Sequence, residues 1–184
     1  LWNTTKEFKG TQLVFADRGV PGNTFKDFNI HHDLKKKLVD RGIPENEIVV
    51  VKDLNKNKKK LRRLFQDVRS GKVRVVISNT ADMGVGVNVQ DRGVAIHNLD
   101  TDWHFGNLEQ RRGRFVRMGN LLIPLDLPVS VFNYVTEGTV DAFMWDKVAA
   151  KKIITEQVLF GTAQRVEDIS AEGMSAEETM AVAS

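Results

Sequence analysis

Four arginines fall within seven residues, at Arg111, Arg112, Arg114 and Arg117, directly after Gln110. A guanidinium is a planar, permanently charged fork that grips phosphate or carboxylate oxygens two at a time. Arg114 and Arg117 are three apart, so on a helix they share a face, with Gln110 one turn earlier on the same side. Forks converging from one face suit a triphosphate or its transition state. The same cluster equally suits a surface patch for nucleic-acid phosphates or acidic partners. A second candidate segment, Ser78 to Asp91, is punctuated by Gly84 and Gly86. Glycine lets the backbone pass close to a phosphate. In that segment Thr80 offers a hydroxyl and Asp91 a ribose acceptor, although a plain Asn- and Gly-containing turn reads as well.

These groups need elements to position them. Apolar runs at 11–16, 47–51, 73–77 and 93–97, and an alternating one at 129–135, read as five strands. Helical spacing spans 25–41, stopped by Gly42, and 58–70, with Gly71 as its C-cap. A short helix is expected over 108–117, ended by Gly119-Asn120. A long one, capped by Thr139, runs to about Phe160. Strands alternate with helices, and the first strands are near-continuous apolar runs. That pattern specifies an α/β domain of three layers, with a mainly parallel sheet between helices. Ligands of such sheets bind at the carboxyl ends of the strands, where both candidate segments are expected.

Composition narrows the chemistry. The 184 residues contain no cysteine, which excludes disulfides, thiolate metal sites and cysteine nucleophiles. His31-His32, with two further histidines, makes a poor metal site and is expected at the surface, so no metal ligands are assigned. His97 and His104 have no triad partners. Trp103, Trp145 and the 148–159 stretch read as packing. No apolar run reaches the roughly 20 residues of a membrane span. The first residues form no signal peptide and include no initiator Met, so a cytoplasmic piece of a longer protein is expected. Charge is uneven: residues 1–75 hold 18 basic and 9 acidic residues, whereas 139–184 hold 4 and 8. The densest basic run, Lys56 to Arg63, is either a solvated helix face or a polyanion contact.

The string from Gln110 to Arg117 resembles motif VI of superfamily 2 helicases, Q-x-x-G-R-x-x-R. Thr80 to Asp91, with G-x-G-x-N at Gly84, Gly86 and Asn88, resembles motif V of their SWI/SNF-like branch. Leu13-Val14-Phe15 resembles motif IV, and Leu99 to Trp103 resembles that branch's strand followed by Asp-x-x-Trp. All four stand in order. The chain is most similar to the C-terminal helicase domain of helicase–methyltransferase proteins of phages and other mobile elements. That likeness extends through residues 134–141 and 167–170. The family often has an acidic residue at Arg112 and Gln at Met118, departures that spare the motif VI arginines.

The resemblance implies a RecA-like, P-loop NTPase-like domain over 1–138 and a C-terminal helical extension over 139–184. It makes Arg117 an arginine finger on the γ-phosphate, Arg114 a contact to the same group, and Gln110 an organiser of phosphate or water. It gives Gly84, Gly86, Asn88 and Asp91 to nucleotide binding. Thr80, the Asp17-Arg18-Gly19 loop and, more remotely, Lys58, Lys59 and Arg62 go to the DNA backbone. No G-x-x-x-x-G-K-S/T and no D-E-x-H or D-E-A-D box is present in the chain. ATP would therefore be shared with an upstream RecA-like domain that also holds Mg²⁺. The expectation is the second motor domain of an ATP-dependent DNA helicase or translocase, inactive alone, with RNA not excluded and a fused methyltransferase open. The alternative is a non-catalytic nucleic-acid-binding or docking module.

Overall fold

The structure is a computed structural model that describes residues 1–20, 28–54, 57–83, 88–101 and 105–159. Five strands form one sheet: β1 (Thr11–Phe15), β2 (Ile48–Val50), β3 (Val75–Ser78), β4 (Gly93–Asn98) and β5 (Ser130–Asn133). Their spatial order is β2-β3-β1-β4-β5, and every pairing is parallel. β1 and β3, inside the sheet, are buried along their whole length. Strands buried on both faces have no solvent side to present, so Leu13-Val14-Phe15 and Val75-Val76-Ile77 run apolar without alternating.

The described residues include four α-helices: α1 (Ile30–Asp40), α2 (Lys58–Arg69), α3 (Phe105–Arg112) and α4 (Val140–Leu159). The chain steps outward from β1 to β2 and back from β2 to β3. Right-handed crossovers then place α1 and α2 on opposite faces. One core cluster packs Leu64 and Val68 of α2 with Leu13, Phe15, Val76, Ile96, Met83 and Phe115. The other joins Val14, Ile48, Val50, Val75 and Ile77 to Leu34 and Leu38 of α1. The expected three-layer α/β architecture is present.

Asn29 caps α1, its side chain accepting from the His31 and His32 amides, so the helix begins there. The expected stretch 25–27 lies outside the described residues. His31 is not at the surface: it is fully buried, its Nε2 2.8 Å from the Ala16 carbonyl, while His32 stays exposed beside Asp53. Asn57 caps α2 in the same way as Asn29 caps α1. Thr139 Oγ1 accepts from the Asp141 amide at the start of α4.

The largest departure from the sequence reading concerns α3. Its helix ends at Arg112, five residues before Arg117, and the chain continues as a turn. Bonds from the Arg114 and Phe115 amides to carbonyls three residues back tighten the backbone after Gly113. Phe115 is then fully buried, driven inward by its apolar ring. Arg114 and Arg117 therefore share a turn and not a helical face. Gly93 is what admits that ring: a Cβ there would sit 2.6 Å from Phe115 Cδ1. Gly93→Ala is expected to destabilise the chain by about 1–3 kcal/mol, the range for overpacked cores. Urea unfolding against wild type measures it.

The chain divides into two compact units, Leu1–Asp100 with Glu109–Tyr134, and Thr101–Leu108 with Val135–Ser184. The first contains the whole sheet. It also holds an apolar cavity of about 170 Å³, lined in part by Trp2, Val14, Leu38 and His97. His97 bonds Gln12 Oε1 and the Tyr134 hydroxyl and stacks on Phe132. Burial lowers its pKa to about 4. A free imidazole titrates near 6.5. Between these values the unfolded chain binds a proton that the folded chain does not, so stability falls as pH drops through that window. In urea titrations across this range, His97→Gln is expected to remove that part of the slope.

Candidate nucleotide and nucleic-acid site

Three loops leave the carboxyl ends of neighbouring strands: Asp17 after β1, Thr80 after β3 and Asp100 after β4. Arg111, in the last turn of α3, fills the space among them and is only 1% exposed. It uses all five of its N–H groups. Nε donates to Thr80 Oγ1 at 2.7 Å. One terminal nitrogen donates to Asn98 Oδ1 at 3.2 Å and to the Asp100 carbonyl at 2.9 Å. The other reaches Asp17 Oδ2 at 2.6 Å and Asp100 Oδ1 at 3.2 Å. The guanidinium also lies 5.3 Å from the Phe15 ring centre, a cation–π contact.

The two carboxylates are satisfied from the backbone as well. Asp100 accepts from the Asp17 and Arg18 amides at 2.6 and 2.8 Å. Asp17 accepts from the Thr80 amide at 2.6 Å and the Thr80 hydroxyl at 2.8 Å. Thr80 therefore gives its one hydroxyl proton to Asp17 and receives a hydrogen from Arg111. The cluster of two acids and one guanidinium ties the motif IV, V and VI segments together. Sequence reasoning placed Asp17 in a loop expected at the nucleic-acid backbone and Arg111 in the arginine cluster, and it missed that the two pair with each other. The available signal was an acid just beyond each of two buried apolar strands.

Arg114 differs sharply from its neighbour. It is 5% exposed, yet among the described residues no hydrogen bond or ion pair meets its side chain. Burial, and then the like charge of Arg117, lower its pKa below the ordinary guanidinium value. A desolvated cation beside a second cation is a site that an anion would stabilise. Arg117 is exposed and donates to Asn88 Oδ1 at 3.0 Å. Gln110 is exposed on α3.

The remaining expected residues divide between the two ends of the sheet. Arg18 and Gly19 follow β1 at the carboxyl edge, and Gly19 has φ of +68°, a conformation that favours glycine. Lys58, Lys59 and Arg62 are exposed at the start of α2, which follows β2, and so stand at that same edge beyond β3. Asn88 and Asp91 instead precede β4. The Asp91 carbonyl accepts from the Leu121 amide, and the Asn88 carbonyl accepts from Arg69 at the far end of α2. The arginine turn thus runs from the carboxyl edge at Arg111 to the amino end of β4 at Arg117. Gly84 and Gly86 lie outside the described residues. No group of three potential metal ligands occurs among the described residues, and no described helix is long and apolar enough to cross a membrane.

Known proteins give this geometry a family. The chain is similar to the C-terminal part of the Fun30 ATPase domain, with 10% identity and a TM-score of 0.59, covering 97% of this chain and 47% of that one. It is also similar to S. cerevisiae Dbp5 bound to Gle1 and IP6, at 17% identity and a TM-score of 0.51, covering 88% and 36%. For S. cerevisiae Dbp5 bound to RNA and ADP BeF3 the values are 18%, 0.51, 82% and 33%. The chain spans less than half of each of these structures, and at such identities the likeness is one of fold. No curated protein matches. The model of the helicase conserved C-terminal domain matches residues 22–119, from just after β1 through the arginine turn. That match takes in more than half of the chain, which therefore belongs to the helicase conserved C-terminal domain family.

Proposed function

We propose that this chain is the second motor domain of an ATP-dependent DNA helicase or translocase of the SWI/SNF-like branch. The observation that carries the reading is Arg114, buried, met by no anionic side chain among the described residues, and beside the like charge of Arg117. These two side chains fit a polyphosphate. Arg114 is already desolvated where the γ-phosphate would dock. Arg117 is held by one exposed hydrogen bond to Asn88, which a phosphate oxygen outcompetes. The fold supplies half of the site, and an upstream RecA-like domain supplies the phosphate cradle and the Mg²⁺-holding carboxylates that the sequence lacks. Bound ATP contributes the phosphoryl chemistry, and the residues of this chain stabilise the charge that develops on it. Gln110 orients phosphate or water at the mouth of the cleft, and Gly84, Gly86 and Asp91 belong to the nucleotide side.

Nucleic acid follows the carboxyl edge of the sheet. Arg18, Gly19, Thr80 and the cations Lys58, Lys59 and Arg62 share that edge, which supports a phosphate track across β2, β3 and β1. Cleft closure on ATP and reopening after release move the domain along the strand. The likeness of residues 134–141 and 167–170 to mobile-element helicase–methyltransferase proteins supports a parent of that kind.

The test compares the parent protein with the isolated chain in ATP hydrolysis, with and without duplex DNA. The parent is expected to turn over ATP faster with DNA, and the isolated chain not at all. Hydrolysis by the isolated chain, or turnover indifferent to DNA, overturns the reading. Stimulation by RNA and not by DNA would reassign the track.

A further inference from the structure

We propose that Arg111 is a positioning residue that couples nucleic-acid binding at Thr80 to ATP turnover at Arg114. The inference rests on the motor reading above. Its basis is the geometry of one buried side chain that makes no contact with solvent and aims at no open cleft. Arg111 is three residues before Arg114, and the Arg114 amide donates to the Arg111 carbonyl at 3.1 Å. Moving the Arg111 backbone therefore moves the root of the arginine turn. At its other end the same residue donates to Thr80 Oγ1. Five donors meet four acceptors on three loops and one at the end of β4, so the fork cannot shift for one loop without disturbing the others.

The Thr80 hydroxyl shows why such a link has consequences. Its proton points at Asp17, so a nucleic-acid phosphate, itself only an acceptor, must take that proton from the carboxylate. Asp17 then has a lone pair to fill, and the fork of Arg111 is the donor already in contact with it. A strand docking at Thr80 is thereby felt at Arg111 and, through one backbone hydrogen bond, at Arg114. Among the described residues the cluster holds two carboxylates against one guanidinium.

Lysine at this position keeps the charge but has three donors in place of a five-donor planar fork. In the parent protein, Arg111→Lys is expected to raise the duplex-DNA concentration for half-maximal ATPase stimulation by about tenfold, within the usual range of coupling between linked residues. The KM for ATP at saturating DNA is expected to stay within about twofold of wild type. Because both residues act through one contact, Thr80→Val combined with Arg111→Lys is expected to add little to the larger single effect. A merely structural pin would lower the melting temperature, leave the midpoint per folded molecule unchanged, and give effects that multiply. Either an unchanged midpoint or multiplying effects overturns the proposal. If Arg111→Lys does not fold, Asp17→Asn, which keeps the side-chain shape, is put through the same cycle with Thr80→Val and judged by the same outcomes. A wild-type parent without DNA-stimulated turnover removes the motor reading and this inference together. A stimulated wild type with an indifferent Arg111→Lys removes the inference alone.

Discussion

Alanine at Arg114 or at Arg117 in the parent protein is expected to lower DNA-stimulated ATP turnover by at least about 10³-fold, the low end of what an arginine finger contributes. The two losses should not multiply, because in the proposed role both residues serve one phosphate group. ATP affinity should change far less. In the proposed role these cations would face charge that develops as the terminal phosphate departs, and groups that meet the transition state better than the ground state act on kcat. The structure ranks the two. Arg114 is buried, and among the described residues no hydrogen bond or ion pair offsets its charge, so the larger loss is expected there. Arg114→Lys keeps a charge without the fork and is expected to recover only part of the rate. Arg117 is exposed and held by Asn88, so Asn88→Ala should have a small effect. Steady-state kinetics with a parallel binding measurement on a non-hydrolysable ATP analogue decides the matter. Turnover unaffected by either substitution would send the arginines to a surface role.

The strands were legible because burial writes itself directly into a parallel sheet. Val75-Val76-Ile77 and Leu13-Val14-Phe15 have no polar face to confuse the reading. Helix starts were legible where a capping side chain marks them, as Thr139 does for α4. The arginine segment was harder. The spacing of Arg114 and Arg117 imitates one helical face, yet Phe115 between them is drawn into the pocket opened by Gly93. That is a contact across 22 positions of sequence, invisible to local periodicity. Equally, nothing in four neighbouring arginines says which one is buried. The answer depends on two acids brought to β1 and β4 by the strand order, 83 residues apart in the chain. Local patterns report the elements, and the hub is made by the sheet that joins them.

Arg111→Met is expected to cost about 3–5 kcal/mol of folding stability, the penalty for removing one partner from a buried ion pair. The reason lies in what is left behind. Asp100 is 7% exposed, and Asp17 holds the Thr80 loop through two hydrogen bonds. Without the guanidinium, two carboxylates face each other across a methionine that returns none of the five donated hydrogens. A domain with total stability of roughly 5–15 kcal/mol would then be near its unfolding threshold. The adjacent residue provides the control. Arg112 is half exposed and paired with Glu109 at 3.7 Å along the same helix. Arg112→Met is expected to change stability by no more than about 0.5 kcal/mol, as for an ordinary surface pair. Urea midpoints of the two variants, measured side by side, should differ severalfold in their displacement from wild type. Equal displacements would mean that Arg111 does not occupy the buried fork between Asp17 and Asp100. The coupling role assigned to it would then have no physical carrier.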